Sequence, residues 1–385
     1  MVKILVDETI PYVSDIFKNS GNVVKISSRE LLGNDLLDAD CLIIRSVTKI
    51  NKQSLVDRKS IKFIGSATSG IDHVDVDWLK KLGVAFSAAP GCNAVAVAEY
   101  VFTSLLFLAE RNNFQIKDCI IGIVGVGHIG SYLNKILSAW GVVTLLCDPP
   151  LSDKIHKKKQ NYFYSLNELV NKSDIITFHI PLVYKGKYKT FHIINEKILL
   201  SLKKNAILIN SSRGAIINNE DLIDVLKIRK DIKLVIDVWN EEENGLSIDL
   251  LSKTIIATPH IAGYTIEAKI NAIIKLYERW CKLINKPKKI KINKFLIEPT
   301  FSNIFLHGRI TQSKLSKLAN LIFSIYVDDS LLRNTTIMNY YSFNNLQNHH
   351  RIRREWFSLK VNCDNYETFN ILKNIGFNAF FEQKV

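Results

Sequence analysis

The sequence predicts an α/β protein with two Rossmann-like, doubly wound parallel-sheet domains and a small C-terminal α+β domain. Three observations carry that expectation. Short apolar, β-branched runs alternate with polar, helix-compatible ones from the first residues to about residue 260. One run, at 120–124, opens into Gly125-x-Gly127-x-x-Gly130 and then a helical pattern over 131–140. Beyond about residue 286 the composition shifts to a basic stretch ending at Lys294, and no second glycine fingerprint follows.

In the first 95 residues the expected strands lie at 2–6, 23–26, 41–44, 61–65 and 84–86. The loops that leave the third and fourth carry Arg45, Ser46, Thr48 and Lys49, then Ser66, Thr68, Ser69 and His73. Ligands bind at the carboxyl ends of parallel strands, so these read as substrate loops, although small polar residues occur on any surface. A long apolar helix over 94–110 then reads as a connector, which puts a substrate domain at 1–95, completed by 260–285, and a nucleotide domain at 96–259.

The glycine run is the centre of that second domain. Gly125 permits a tight turn, Gly127 lets backbone approach a pyrophosphate, and Gly130 lets helix pack on strand, while the free N–H groups of the helix end hold phosphate charge. The next strand, 142–147, ends in Asp148 about 18 residues past Gly130, where a carboxylate accepts hydrogen bonds from a ribose diol. Pro149 and Pro150 follow, with no immediate Arg for a 2′-phosphate, which favours NAD over NADP.

Further strands at 174–179, 206–210, 234–239 and 255–258 end in Ile180-Pro181, Ser211-Ser212-Arg213-Gly214, Glu241-Glu242 and Pro259-His260. Arg213, Glu242 and His260 thus reach one sheet edge. They supply a forked binder for carboxylate or carbonyl, an acid to orient an imidazole, and a base with a near-neutral pKa, the set that alcohol oxidation by hydride transfer needs. Singly, each has a plainer reading: a helix-end ion pair, a solvated acid, a packed histidine.

The chain of 385 residues is 47% hydrophobic, ample for real cores, and carries a formal charge of +14. Its lysines are spread along the chain with abundant Asn and Ile, which points to codon bias rather than a nucleic-acid-binding face. No apolar run approaches a membrane span, and the start reads as a strand, so a cytoplasmic protein is expected. Six scattered cysteines without C-x-x-C predict reduced thiols and no metal site.

At Asn210–Gly214, Asp237-Val238-Trp239 with Glu242, and Pro259-His260, the sequence resembles the D-isomer-specific 2-hydroxyacid dehydrogenase family. Longer strings, at 4–8, 45–48, 87–94 and 260–264, bring it closer to one branch of that family. The resemblance implies hydride transfer to NAD from C2 of a phosphorylated hydroxy acid, substrate contacts at Ser46 and Thr68, and cofactor contacts at Asp148, Asp237, Gly263 and Tyr264. It also implies that 286–385 makes a homodimer. Ile180 departs from the family, which often has Thr there, and costs a side-chain bond to cofactor. Two readings stand beside this one: the same chemistry with an amino-acid-binding C-terminal domain, and a non-catalytic NADH sensor. The cluster Arg351, Arg353 and Arg354 before Trp356 suits either a partner's substrate phosphate or a plain basic surface.

Overall fold

The computed structural model describes residues 2–27, 38–54, 60–155, 162–240, 246–286, 289–338, 343–348, 350 and 352–382. The chain divides into two compact units, Met1–Asn93 with Thr265–Ile297, and Ala94–Tyr264 with Glu298–Val385.

The first unit holds strands β1 (Lys3–Asp7), β2 (Asn22–Ile26), β3 (Cys41–Ile44), β4 (Phe63–Ser66) and β5 (Ala85–Ser87). All pair in parallel, in the order β2-β1-β3-β4-β5. Strands β3 and β4 are buried along their whole length, as unbroken apolar runs must be when helices cover both faces of a sheet. The helix Ile266–Leu283 covers one face with Ile270, Ile273, Tyr277 and Trp280 at helical spacing. Tyr277 meets Phe17 edge-on at 5.2 Å, and Trp280 lies 5.8 Å from Phe63. Strand order reverses between β1 and β3, so the loop after Ile44 starts at a topological switch point.

The second unit holds β6 (Ile120–Val124), β7 (Val143–Cys147), β8 (Ile175–Phe178), β9 (Ile207–Asn210), β10 (Lys233–Ile236) and β11 (Ile256–Ala257). Their order, β11-β10-β9-β8-β6-β7, is again wholly parallel. After β7 the chain crosses back over β6 to form β8, which sets the switch point at the glycine turn that follows β6. The helices Ala94–Asn112 and His128–Trp140 bury one face, with Phe102 and Trp140 rings 6.4 Å apart.

The C-terminal residues share that unit's core. Strands β12 (Asn303–Leu306), β13 (Lys360–Cys363) and β14 (Asn378–Phe381) form a parallel sheet in the order β12-β13-β14. Trp356 stacks on Phe377 at 5.0 Å and lies 5.7 Å from Phe102 of the helix Ala94–Asn112. Two helices the sequence pattern does not announce, Ile325–Met338 and Phe343–Asn348, complete this region. The first lies along the short edge strand β11. There Asp329 Oδ1 accepts the Ala257 N–H at 2.7 Å, and Arg333 donates to the carbonyls of Leu251 (2.9 Å) and Thr254 (2.6 Å). An edge that would otherwise present unpaired backbone is thereby closed.

Candidate active site

Each glycine of the fingerprint meets a distinct constraint. Gly125 has φ +91°, and a Cβ there would overlap the carbonyl of His179. A Cβ on Gly130 would overlap the carbonyl of Gly125, whereas one on Gly127 would meet nothing within 4 Å. Gly127 caps the helix His128–Trp140 without a side-chain bond, so the first N–H groups of that helix point outward over an open glycine. Asp148 steadies the turn: its Oδ2 accepts the Val126 N–H at 2.8 Å and its Oδ1 accepts the Leu151 N–H at 2.9 Å. Each oxygen keeps a lone pair for a ribose hydroxyl. Open space at Gly127, unpaired donors and a fixed carboxylate together fit a dinucleotide pyrophosphate and its ribose. Ile180 packs by its methyl beside Gly125.

The same edge carries Arg213 and His260. After β9, Asn210 shapes the chain by donating from Nδ2 to the Arg213 carbonyl (2.9 Å) and accepting the Ser212 N–H (3.2 Å) and hydroxyl (3.0 Å). Gly214 lets this loop touch the backbone of Trp239 and Asn240, where any Cβ would collide. Arg213 therefore leaves the edge in a loop with no freedom to slide, its Nη1 donating to the Ser212 carbonyl at 2.7 Å.

His260 follows β11 in a left-handed backbone conformation, φ +56°. Asp237, fully buried at the end of β10, pins the turn: Oδ1 accepts from Ile261 N (2.8 Å) and Thr258 Oγ1 (2.6 Å), and Oδ2 from Ala262 N (3.0 Å). Burial pushes this carboxyl up, against the field of His260 and these donors. Tyr100 extends the network with its hydroxyl 2.7 Å from Thr258 Oγ1. Gly263 is half-buried, and Tyr264 closes the turn by donating its N–H to Ile261 O at 2.9 Å. The resemblance implies a cofactor contact at Asp237; that it clamps the His260 turn is not legible in the sequence, because the bonded groups lie over 20 residues away. Glu242, expected to orient His260, lies outside the described residues.

In the other unit, Ser46 is exposed in the loop after β3, where Arg45 Nε stands 3.5 Å from the buried Asp7 carboxylate. Thr68 after β4 is half-buried; its hydroxyl donates to the Gly70 carbonyl (2.8 Å) and lies 2.7 Å from Ser66 Oγ, which is 2.8 Å from His73 Nε2. This Ser66–Thr68–His73 chain sets the shape of the loop. Of the arginine cluster, Arg353 turns inward and is 2% exposed, which removes it from any phosphate-facing role. Arg354 is half-buried, and Arg351 lies outside the described residues.

Comparison with known proteins agrees with this geometry. Residues 107–262 match the family model for the D-isomer specific 2-hydroxyacid dehydrogenase, NAD binding domain, and residues 295–376 match a domain of unknown function (DUF3410). The fold and the glycine edge are thus those of an NAD-binding 2-hydroxyacid dehydrogenase. Erythronate-4-phosphate dehydrogenase of Photorhabdus laumondii subsp. laumondii is 46% identical over 378 residues, covering 98% of this chain and 99% of that protein. The Shigella flexneri serotype 5b protein of the same name is also 46% identical, over 98% of each chain. This chain belongs to the erythronate-4-phosphate dehydrogenase family. In fold it is similar to NAD+-bound 3-phosphoglycerate dehydrogenase of Entamoeba histolytica, with TM-score 0.63 and 24% identity over 74% of this chain and 95% of that one.

Proposed function

We propose that this chain oxidises 4-phospho-D-erythronate at C2 with NAD, giving (R)-3-hydroxy-2-oxo-4-phosphooxybutanoate, a step in making pyridoxal 5′-phosphate. The observation that carries the reading is the edge of the six-stranded sheet, where the glycine turn, Arg213 and His260 leave the carboxyl ends of β6, β9 and β11. Bound there, NAD supplies the hydride acceptor. His260 takes the proton from the C2 hydroxyl as that carbon is oxidised. Arg213 holds the substrate carboxylate and C2 oxygen in its fork, and its preorganised charge favours the developing carbonyl. Asp148 selects NAD by accepting from the ribose and repelling a 2′-phosphate. Glu242 orients the imidazole. Ser46 and Thr68 bind substrate from the domain at 1–95, Gly263 and Tyr264 line the cofactor side, and Asp237 holds that turn from beneath.

Purified protein should form NADH with 4-phospho-D-erythronate and little with 3-phosphoglycerate. His260→Ala should lower turnover on the order of 10²–10⁴-fold with NAD affinity retained. Turnover within a few-fold of the parent would remove His260 from the role of base.

The protein is further proposed to act in the cytoplasm as a homodimer through its C-terminal domain. Among the described residues no helix is long and apolar enough to cross a membrane, and none of the six cysteines forms a disulfide. Phe305, Asn362 and Phe380 lie in one row across β12–β14, and both phenylalanines are exposed. A second copy would cover that row. Phe305→Glu should shift the protein toward monomer in light scattering; an unchanged dimer would place the interface elsewhere.

A further inference from the structure

The left-handed backbone at His260 is one that a residue with a side chain holds only when its surroundings over-determine it. Asp237 secures the turn from within the sheet. Further bonds come from late in the chain. Arg353 is buried, with Nη1 donating to the Ala262 carbonyl at 3.1 Å and Nη2 to the Ala96 carbonyl at 2.8 Å. Its guanidinium lies 4.1 Å from the centre of the Phe323 ring. Gln347 Nε2 stands 3.5 Å from the His260 carbonyl. Three residues beyond Arg353, the Trp356 N–H is held by both carboxylate oxygens of Glu99, at 2.9 and 3.1 Å.

A buried guanidinium is a costly group to keep, and well-packed apolar residues commonly stabilise as well as a buried ion cluster does. Burial works against the charge of this one, and Glu99, Asp328, Glu355 and Asp237 act in its favour. What an apolar side chain cannot supply is a rigid plane with two donors that reach Ala96 and Ala262 together. Ala96 sits in the first turn of the helix Ala94–Asn112, a fixed point buried in the core, and Ala262 is two residues past His260. The fork therefore references the histidine turn to that helix.

We propose that Arg353 is a positioning residue, which holds the His260 turn in the orientation that lets the imidazole reach substrate. The proposal rests on His260 being the base. It makes the C-terminal segment part of the catalytic apparatus of its own chain, besides any part in assembly.

Arg353→Lys keeps the charge among the four acids, and so folds, but its single ammonium cannot bridge two carbonyls. Turnover should fall on the order of 10- to 100-fold, with KM for both substrates within a few-fold and the oligomeric state unchanged. In a His260→Asn background the same substitution should have no further effect. Arg353→Lys with parental turnover overturns the proposal. So does an equal loss in both backgrounds, since Arg353 would then act other than through His260. Parental turnover in His260→Asn alone would instead remove the base assignment, an outcome read without reference to Arg353.

Discussion

Two turns leave the same edge of the six-stranded sheet, and they reach unusual backbone shapes by opposite means. The turn at Gly125–Gly130 does so by omitting atoms: φ is +91° at Gly125, and side chains at Gly125 and Gly130 would overlap carbonyls that stand against them. The turn at His260 is also left-handed, yet its residue carries a side chain. Its shape is imposed by partners, Asp237 on one side and Gln347 and Arg353 on the other. A conformation permitted by missing atoms is encoded where it occurs. One imposed by bonding is encoded in the sequence of its partners.

The largest expected effect separates the roles inside the glycine turn. Gly130→Ala places a methyl group on the backbone oxygen of Gly125, which cannot yield without opening the turn, so the variant should lose NAD binding and much of its stability. Gly127→Ala meets no protein atom, so unfolding should be within about 0.5 kcal/mol of the parent. Its defect should be confined to cofactor affinity, read by titration with NADH. Equal destabilisation by the two substitutions would break the comparison, because the open position would then be as constrained by protein as the closed one.

This contrast also explains what could be read from the sequence. The strands Cys41–Ile44, Phe63–Ser66, Ile175–Phe178 and Ile207–Asn210 are legible as apolar runs, because a strand buried on both faces has little choice of composition. Gly125, Gly127 and Gly130 announced their turn for the same local reason. The left-handed state of His260 did not, since nothing at 259–261 requires it. The helix Ile325–Met338 is not announced by the sequence because its Asp328, Thr335 and Thr336 break an apolar stripe, and Asp328 and Thr335 are buried against neighbours that no local pattern names. Arg353 resembles its neighbours Arg351 and Arg354 in sequence, and its carbonyl partners lie over 90 and 250 residues away, where no local pattern reaches.

The smallest expected effect tests whether the glycine turn is self-sufficient. His179 follows β8, and its carbonyl is the group that stands against Gly125. Its Nε2 is 3.0 Å from Thr177 Oγ1, its Nδ1 is enclosed without a partner, and burial lowers its pKa to about 3. The unfolded ring titrates near 6.5, so between those values the unfolded chain binds more protons than the folded one. Stability from this site is therefore complete above pH 6.5 and is lost as pH falls below it. His179→Gln removes the titration while leaving the backbone carbonyl in place. Between pH 7 and pH 5 the parent should lose about 2 kcal/mol more than the variant in urea unfolding, while NAD affinity at pH 7 stays within a few-fold. An identical acid loss in both proteins would mean that the ring is not kept neutral by burial. Loss of NAD binding in His179→Gln would be the sharper failure, since the glycine turn would then depend on a tertiary partner just as the turn at His260 does.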